Sequence, residues 1–283
     1  MSTACELCGH TGPMIPFYAS HGIVKCPDCG LVFFEQTMAP EELYTEGYFS
    51  GGEYMDYVAD KAITQRNFRR RIPELLRLAP GGELLEIGSA YGFFLELASR
   101  HWTVHGVEIV PEGVEHARNI LRLDVRRSDF LDLSDERDRY DIVCMWDTIE
   151  HLMRPVCYLE KVGRWLKPGG HLVVTTGDID SWMSRLRGSR WRLIHPPTHM
   201  YYFSPTTLSR AATQAGLEVR RITHVGYSRS SKAMLYGLLM LGKRKHSFLY
   251  RILTVGGRLD LPVYLNLYDI VLMTAQKPSA LVR

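Results

Sequence analysis

Beyond residue 83 the chain alternates short apolar runs with amphipathic stretches. Runs at 84–87, 103–108, 124–126, 141–146, 171–176, 217–223 and 268–275 predict seven strands, and 93–100, 111–121 and 156–166 have helical spacing. Near-continuous apolar strands separated by amphipathic helices predict a parallel sheet with helices on both faces, because neither side of such a strand meets water. Lys167-Pro168-Gly169-Gly170 predicts a turn between the third of these helices and the next strand. Ser204-Pro205 opens a further helix with an N-cap and a first-turn proline, and Gly216 ends it. Upstream, residues 54–78 predict one lead-in helix, stopped by Pro80-Gly81-Gly82. Residues 3–34, with short apolar runs at 22–25 and 31–34, predict a ribbon of short strands. The expected division is a small module over 1–36, a linker and lead-in helix over 37–82, and an α/β domain over 83–283, interrupted by an apolar insertion at about 229–265.

Composition narrows the class. A chain of 283 residues accommodates one large core and a small appendage, and its 46% apolar and 23% charged content leaves little room for a long disordered region. The 34 basic and 31 acidic residues give a net charge of +3, too slight an excess to mark a nucleic-acid surface. The first ten residues lack a basic region followed by an apolar one, and no run reaches the ~18 to 20 apolar residues of a membrane span. A cytoplasmic protein is therefore expected.

Four of the six cysteines form two C-x-x-C pairs, Cys5 with Cys8 and Cys26 with Cys29, separated by seventeen residues. That spacing predicts a zinc ribbon, in which four thiolates complete a closed tetrahedral shell and leave no position for a substrate. Glycines after Cys8 and Cys29 fit tight knuckles whose amides can point at sulfur. Cys144 and Cys157 stand alone in apolar contexts and read as core residues, and His10 and His21 as surface residues.

The string from Leu84 to Gly92, LLEIGSAYG, puts a glycine turn between a strand and a helix, at the carboxyl end of the sheet where ligands bind. A dinucleotide-binding turn needs G-x-G-x-x-G, but Ala90 and Phe93 occupy the second and third glycine positions, which disfavours a nicotinamide cofactor. The turn instead reads E-x-G-x-x-x-G. With Glu108 at a strand end, Ser128-Asp129-Phe130 after the next strand, and YDIVCMWDTIEH ending at His151, it resembles the class I S-adenosylmethionine-dependent methyltransferases, domains of the 23/11 type. The resemblance implies a doubly wound, seven-stranded Rossmann-like sheet carrying the zinc ribbon at its N-terminal side. It implies S-adenosylmethionine as cofactor, with Glu86, Gly88, Ser89, Tyr91, Gly92, Glu108, Ile109, Asp129, Phe130 and Trp146 around it. Glu108 would take the ribose hydroxyls, and Asp129 with its neighbour the adenine. Tyr48, Tyr54 and Tyr57 read either as a lid over the cofactor or as plain packing.

A four-cysteine module ahead of this domain is also similar, in part, to sugar C-methyltransferases. Their histidine before an aromatic F-S element corresponds to His199 in THMYYFSP, which the resemblance makes the general base, although Thr198 stands where the family has glutamate. An activated methyl donor demands little beyond alignment, exclusion of water and removal of the acceptor proton, a task that suits imidazole near neutral pH. His199 and His151 are therefore the expected catalytic residues, with His195 a third candidate. The expected reaction is methylation of a small-molecule, carbohydrate or lipid-linked acceptor at a hydroxyl. Carbon methylation of a sugar, RNA modification and a non-catalytic interaction role stand as alternatives. Arg185, Arg187, Arg190 and Arg192, interleaved with Trp182 and Trp191, read either as a solvated face or as an anion site. The apolar stretch 233–242 reads as a buried cap, a homodimer contact or a peripheral membrane element.

Overall fold

The computed structural model describes residues 4–35, 58, 60–231 and 261–279. Thirteen strands are described: β1 Ile15–Tyr18, β2 Ile23–Lys25, β3 Val32–Phe34, β4 Glu83–Ile87, β5 Thr103–Glu108, β6 Val125–Arg127, β7 Tyr140–Trp146, β8 Leu166–Gly177, β9 Tyr201–Tyr202, β10 Glu218–His224, β11 Tyr227–Ser230, β12 Pro262–Leu265 and β13 Ile270–Gln276. The main sheet has seven of them in the order β10-β13-β8-β7-β4-β5-β6. From β8 to β6 neighbours run parallel, but β13 is antiparallel to both β8 and β10, so the sheet is mixed rather than wholly parallel.

The strand pattern has its cause in two-sided burial. Leu85 and Ile87 of β4, Val143 and Met145 of β7, and Leu172 and Val174 of β8 belong to one core. Leu84, Ile142, Cys144 and Val173 belong to the core on the other side. Alternate side chains thus meet different layers of helices, which is why the strands carry no polar face.

Helices α1 Lys61–Arg69 and α2 Ile72–Leu78 lead in, followed by α3 Phe93–Ala98, α4 Pro111–Glu115, α5 Pro155–Trp165, α6 Trp182–Arg187 and α7 Pro205–Gln214. Two details depart from the sequence expectation. The single lead-in helix is broken after Arg69, and Pro73 stands in the first turn of α2, where its missing N–H costs nothing; within one continuous helix its ring would clash with the Arg69 carbonyl. The Lys167–Gly170 string does not separate helix from strand. It loops out within β8, whose pairing with β7 jumps from Tyr140↔Leu166 to Ile142↔His171. The predicted cap of α7 is present: Ser204 Oγ accepts from the Thr207 amide while the Thr207 hydroxyl accepts from the Ser204 amide, a reciprocal capping box.

The N-terminal strands form a second sheet in the order β1-β2-β3-β9, so its fourth strand comes from the segment after His199. Leu7, Val24, Leu31 and Phe33 share one core with Met200, Tyr201 and Phe203. At the other end, β11 pairs with β12 from Tyr227↔Leu265 to Ser230↔Pro262, and the two strands bracket the insertion. The apolar stretch 233–242 and Tyr48, Tyr54 and Tyr57 lie outside the described residues. Among the described residues no helix is long and apolar enough to cross a membrane.

Candidate active site

A cleft of about 900 Å3, counted to its open mouth, lies across the carboxyl ends of β4, β5 and β7. Its floor is the turn after β4. Gly88 has φ +76°, and a Cβ there would fall 2.6 Å from the Thr148 side chain, so the turn passes too close to the β7 loop for any other residue. Ala90, in a position where dinucleotide folds have glycine, also takes positive φ, at 45°. That conformation aims its amide at Glu108 Oε2, 2.7 Å away. Glu108 Oε1 accepts the amides of Ile109 and Val110 at 2.8 and 2.9 Å. One carboxylate therefore fastens the β4 turn to the β5 loop, and of its roughly four lone-pair sites about one remains for a ribose hydroxyl.

Glu86 is 3% exposed, and burial, together with the charge of Glu108, pushes its carboxyl well above the usual carboxylate range. Burial raises Glu108 too, against the lowering by its three amides. Among the described residues, four buried polar atoms on the cleft wall lack a hydrogen-bond partner: Glu86 Oε2, Ser89 Oγ, Trp146 Nε1 and Asp147 Oδ1. Unpaired groups of this kind carry a desolvation cost that a bound ligand removes. Two crowded carboxyls call for a ligand that brings positive charge and hydroxyls, while Phe68, Phe94 and Phe130 supply apolar surface for a ring. S-adenosylmethionine, with its sulfonium, ammonium, ribose and adenine, fits that lining.

Of the cofactor residues expected from sequence, Glu86, Gly88, Ser89, Glu108, Ile109, Phe130 and Trp146 line the cleft. Tyr91 does not; its ring packs against Phe93 and His116, with centroids 5.9 and 5.1 Å away. Gly92 sits behind the turn, where a Cβ would meet Leu123 at 2.8 Å. Asp129 is turned to the side: its Oδ1 accepts from the Leu131 amide at 2.7 Å and the Tyr158 hydroxyl at 2.5 Å, while its neighbours Ser128 and Phe130 face the cleft.

The other wall is built from the loop after β7. Asp147 takes φ +49°, tolerable for an aspartate, and its Oδ2 accepts from the Tyr227 hydroxyl at 2.8 Å. Glu150 and His151 follow in one tight helical turn, Ile149–His151. The His151 ring meets the His199 ring edge-on, with centroids 4.6 Å apart, and His195 lies 5.6 Å beyond. His151 is on the cleft wall, whereas His199, 5% exposed, stands one layer back. Each of the two anchors Nδ1 on a backbone carbonyl, His151 on Thr198 at 2.8 Å and His199 on Leu193 at 2.9 Å. A carbonyl can only accept, so Nδ1 carries a proton in both rings, and in the neutral form the lone pair belongs to Nε2.

Glu150, which sequence reasoning left unassigned although it belongs to the string DTIEH, is 4% exposed. Its Oε2 accepts from the Thr176 hydroxyl at 2.8 Å. Burial and the neighbouring Asp147 push its carboxyl up to about 7, against a lowering by His199. The Met200 amide donates to the Glu150 carbonyl at 2.8 Å, and the Phe34 amide donates to the Met200 carbonyl at 2.8 Å. A backbone path thus runs from β3 of the small sheet to the wall of the cleft.

The four cysteines converge at the far end of that path. Cys5 Sγ lies 3.5 Å from Cys29 Sγ, and Cys8 Sγ 3.5 Å from Cys26 Sγ, too far for disulfides and close to the ~3.8 Å edge of a tetrahedron built on 2.3 Å Zn–S bonds. Amides of Leu7 and Cys8 point at the Cys5 sulfur, and those of Asp28 and Cys29 at Cys26. His10 is engaged by Asp28 at 2.8 Å. Of the arginines considered as an anion site, Arg192 is tied to Asp269 at 3.0 Å, where Trp191 Nε1 also donates, and Arg185 approaches Asp180 at 3.9 Å.

Comparison with known proteins agrees with this layout. The family model described as "Methyltransferase domain" matches residues 60–222, more than half of the chain. The ubiquinone biosynthesis O-methyltransferase of Marinobacter nauticus is 27% identical over 181 residues, covering 59% of this chain and 76% of the relative. That of Cereibacter sphaeroides is 28% identical over 176 residues, 58% of this chain and 70% of its own length. Among solved structures, the phosphoethanolamine N-methyltransferase 2 of Haemonchus contortus, in complex with S-adenosyl-L-methionine, aligns with a TM-score of 0.53 at 18% identity, over 88% of this chain and 62% of that one. At that identity the likeness shows the fold alone. The strand order, the glycine turn with its acidic partner and the family match together show that this chain belongs to the methyltransferase domain family, as a class I S-adenosylmethionine-dependent methyltransferase.

Proposed function

We propose that this methyltransferase acts on a small-molecule or glycan-type acceptor at a hydroxyl, and that the acceptor enters against the His151 wall. When bound, S-adenosylmethionine supplies an activated methyl group. Glu86, Gly88, Ser89 and Glu108 hold its amino-acid and ribose portions, and Ile109, Phe130 and Trp146 cover apolar surface. The aromatic walls exclude water, and the cluster of Glu150, His151 and His199 assists removal of the acceptor proton. The observation that carries this reading is the placement of a floor of unpartnered buried polar atoms and a histidine wall on one cleft. The O-methyltransferase names of the relatives support oxygen as the acceptor atom. We further propose a structural zinc at Cys5, Cys8, Cys26 and Cys29, whose sulfurs lie within 4.8 Å of one another.

The test is transfer of a labelled methyl group from S-adenosylmethionine into fractionated small-molecule extracts, with the product identified by mass spectrometry. A product methylated at a hydroxyl is expected. A product methylated at carbon or nitrogen would overturn the oxygen assignment, and labelling confined to RNA would overturn the small-molecule one.

A further inference from the structure

Resting on the reading that the acceptor hydroxyl enters at the histidine wall, we propose that Glu150, His151 and His199 bind a divalent first-row transition cation that takes the acceptor oxygen as a further ligand. One ligand atom from each of the three lies within 4.8 Å of the others. The grouping is non-local: two members sit on the turn Ile149–His151, and the third arrives just before β9. The backbone bond from Met200 to Glu150 holds the two segments in register.

The contacts around the cluster are of the kind that orient metal ligands. Both imidazoles hold Nδ1 on backbone carbonyls, so Nε2 is the atom each would offer a metal, and Glu150 receives the Thr176 hydroxyl. Two imidazoles and one carboxylate suit zinc and its first-row neighbours, and three protein ligands leave coordination positions open. Bonds of about 2.0–2.2 Å allow ligand atoms up to ~4.4 Å apart, so atoms already within 4.8 Å of one another need to close by no more than a few tenths of an ångström on binding. Burial supplies the driving force, because a cation compensates a carboxylate and an imidazole that are both nearly removed from solvent.

A cation at this place lowers the pKa of a bound hydroxyl. In the transfer, the new O–CH3 bond forms as the sulfonium–CH3 bond breaks, sulfur keeps the bonding pair, and the hydroxyl proton goes to water. His151 and His199 then act as ligands, and His199 can contribute to the chemistry without itself touching the acceptor.

The experiment titrates zinc-loaded protein with Co2+ and follows visible absorption, with zinc at the cysteines so that new bands report nitrogen and oxygen ligands. One equivalent of Co2+ is expected to bind without a thiolate-to-cobalt charge-transfer band. Glu150→Gln and His199→Asn should weaken that binding by at least ~10- to 100-fold, while melting temperature and calorimetric affinity for S-adenosylhomocysteine show that each variant is folded. The proposal is overturned by a wild type that gains no cobalt bands, by bands that show only thiolate ligation, or by binding that survives in folded variants. A wild type that fails to bind S-adenosylhomocysteine would count against the cofactor reading alone, because the cobalt spectrum is recorded without it.

Discussion

The four cysteines and the Glu150, His151 and His199 cluster stand at the two ends of one short backbone path, and they differ in almost every respect that decides function. The cysteines come in two local pairs, close on themselves with four sulfurs, and sit away from the cleft. The second cluster has three ligating groups drawn from distant segments, and one of them, His151, is on the cleft wall. A closed shell stores stability and offers a substrate nothing; an open one can do chemistry. Because β3 pairs with β9, the closed site braces the segment that carries His199.

The comparison can be broken most violently at the closed site. Cys26→Ser removes one thiolate from the expected zinc shell, and loss of a structural metal belongs among the largest single-residue effects, on the order of 4–5 kcal/mol. Thermal melts should show the small sheet lost first. Methyl transfer should fall with it, while S-adenosylhomocysteine affinity in calorimetry should change much less. Equal loss of both would mean that the small sheet supports the whole domain and not the acceptor side.

A smaller effect is expected at the open site. His199→Asn should lower the methyl-transfer rate by roughly 10²- to 10⁴-fold, the usual worth of assisted proton removal. Cofactor affinity should stay within about twofold of wild type, since His199 lies apart from the floor of the cleft. Single-turnover kinetics and calorimetry give the two numbers separately.

The cofactor half gives the smallest changes. Glu108→Ala should weaken S-adenosylhomocysteine by about 1.5–3 kcal/mol, the range for hydrogen bonds to a charged group, and should also lower the melting temperature because three backbone amides lose their acceptor. Glu86→Gln, which keeps the shape and accepts no new burial, should cost about 0.5–1.5 kcal/mol of cofactor affinity.

How much of this was legible beforehand follows from the range of the interactions. Strand β5 and the convergence of the four cysteines could be read directly, because both are set by neighbours in sequence: a short apolar run between amphipathic stretches, and two residues between paired cysteines. The glycine turn was legible for the same reason. The sideways turn of Asp129 was not, since it depends on Tyr158 of α5, 29 residues away. Tyr91 and Gly92 carry the family motif, and their placement behind the turn is something only the third dimension makes visible. The string DTIEH placed His151, but it gave no sign that Glu150 is buried against Thr176 and grouped with His199, because that arrangement depends on β9 joining the small sheet. The break after Arg69 is the opposite case: Pro73 is a local signal, and the single helix expected over 54–78 runs through it.

The central claim is that one cleft has two separable halves, a cofactor floor around Glu108 and an acceptor wall of His151 backed by His199. Single-turnover methyl transfer to the acceptor found by labelling, measured while S-adenosylmethionine is raised to saturation, tests it most directly. Glu108→Ala should recover a rate near that of wild type once the cofactor is saturating, and His199→Asn should remain ~10²- to 10⁴-fold slow at every concentration. A His199→Asn protein rescued by more cofactor, or a Glu108→Ala protein that stays slow at saturation, would contradict it.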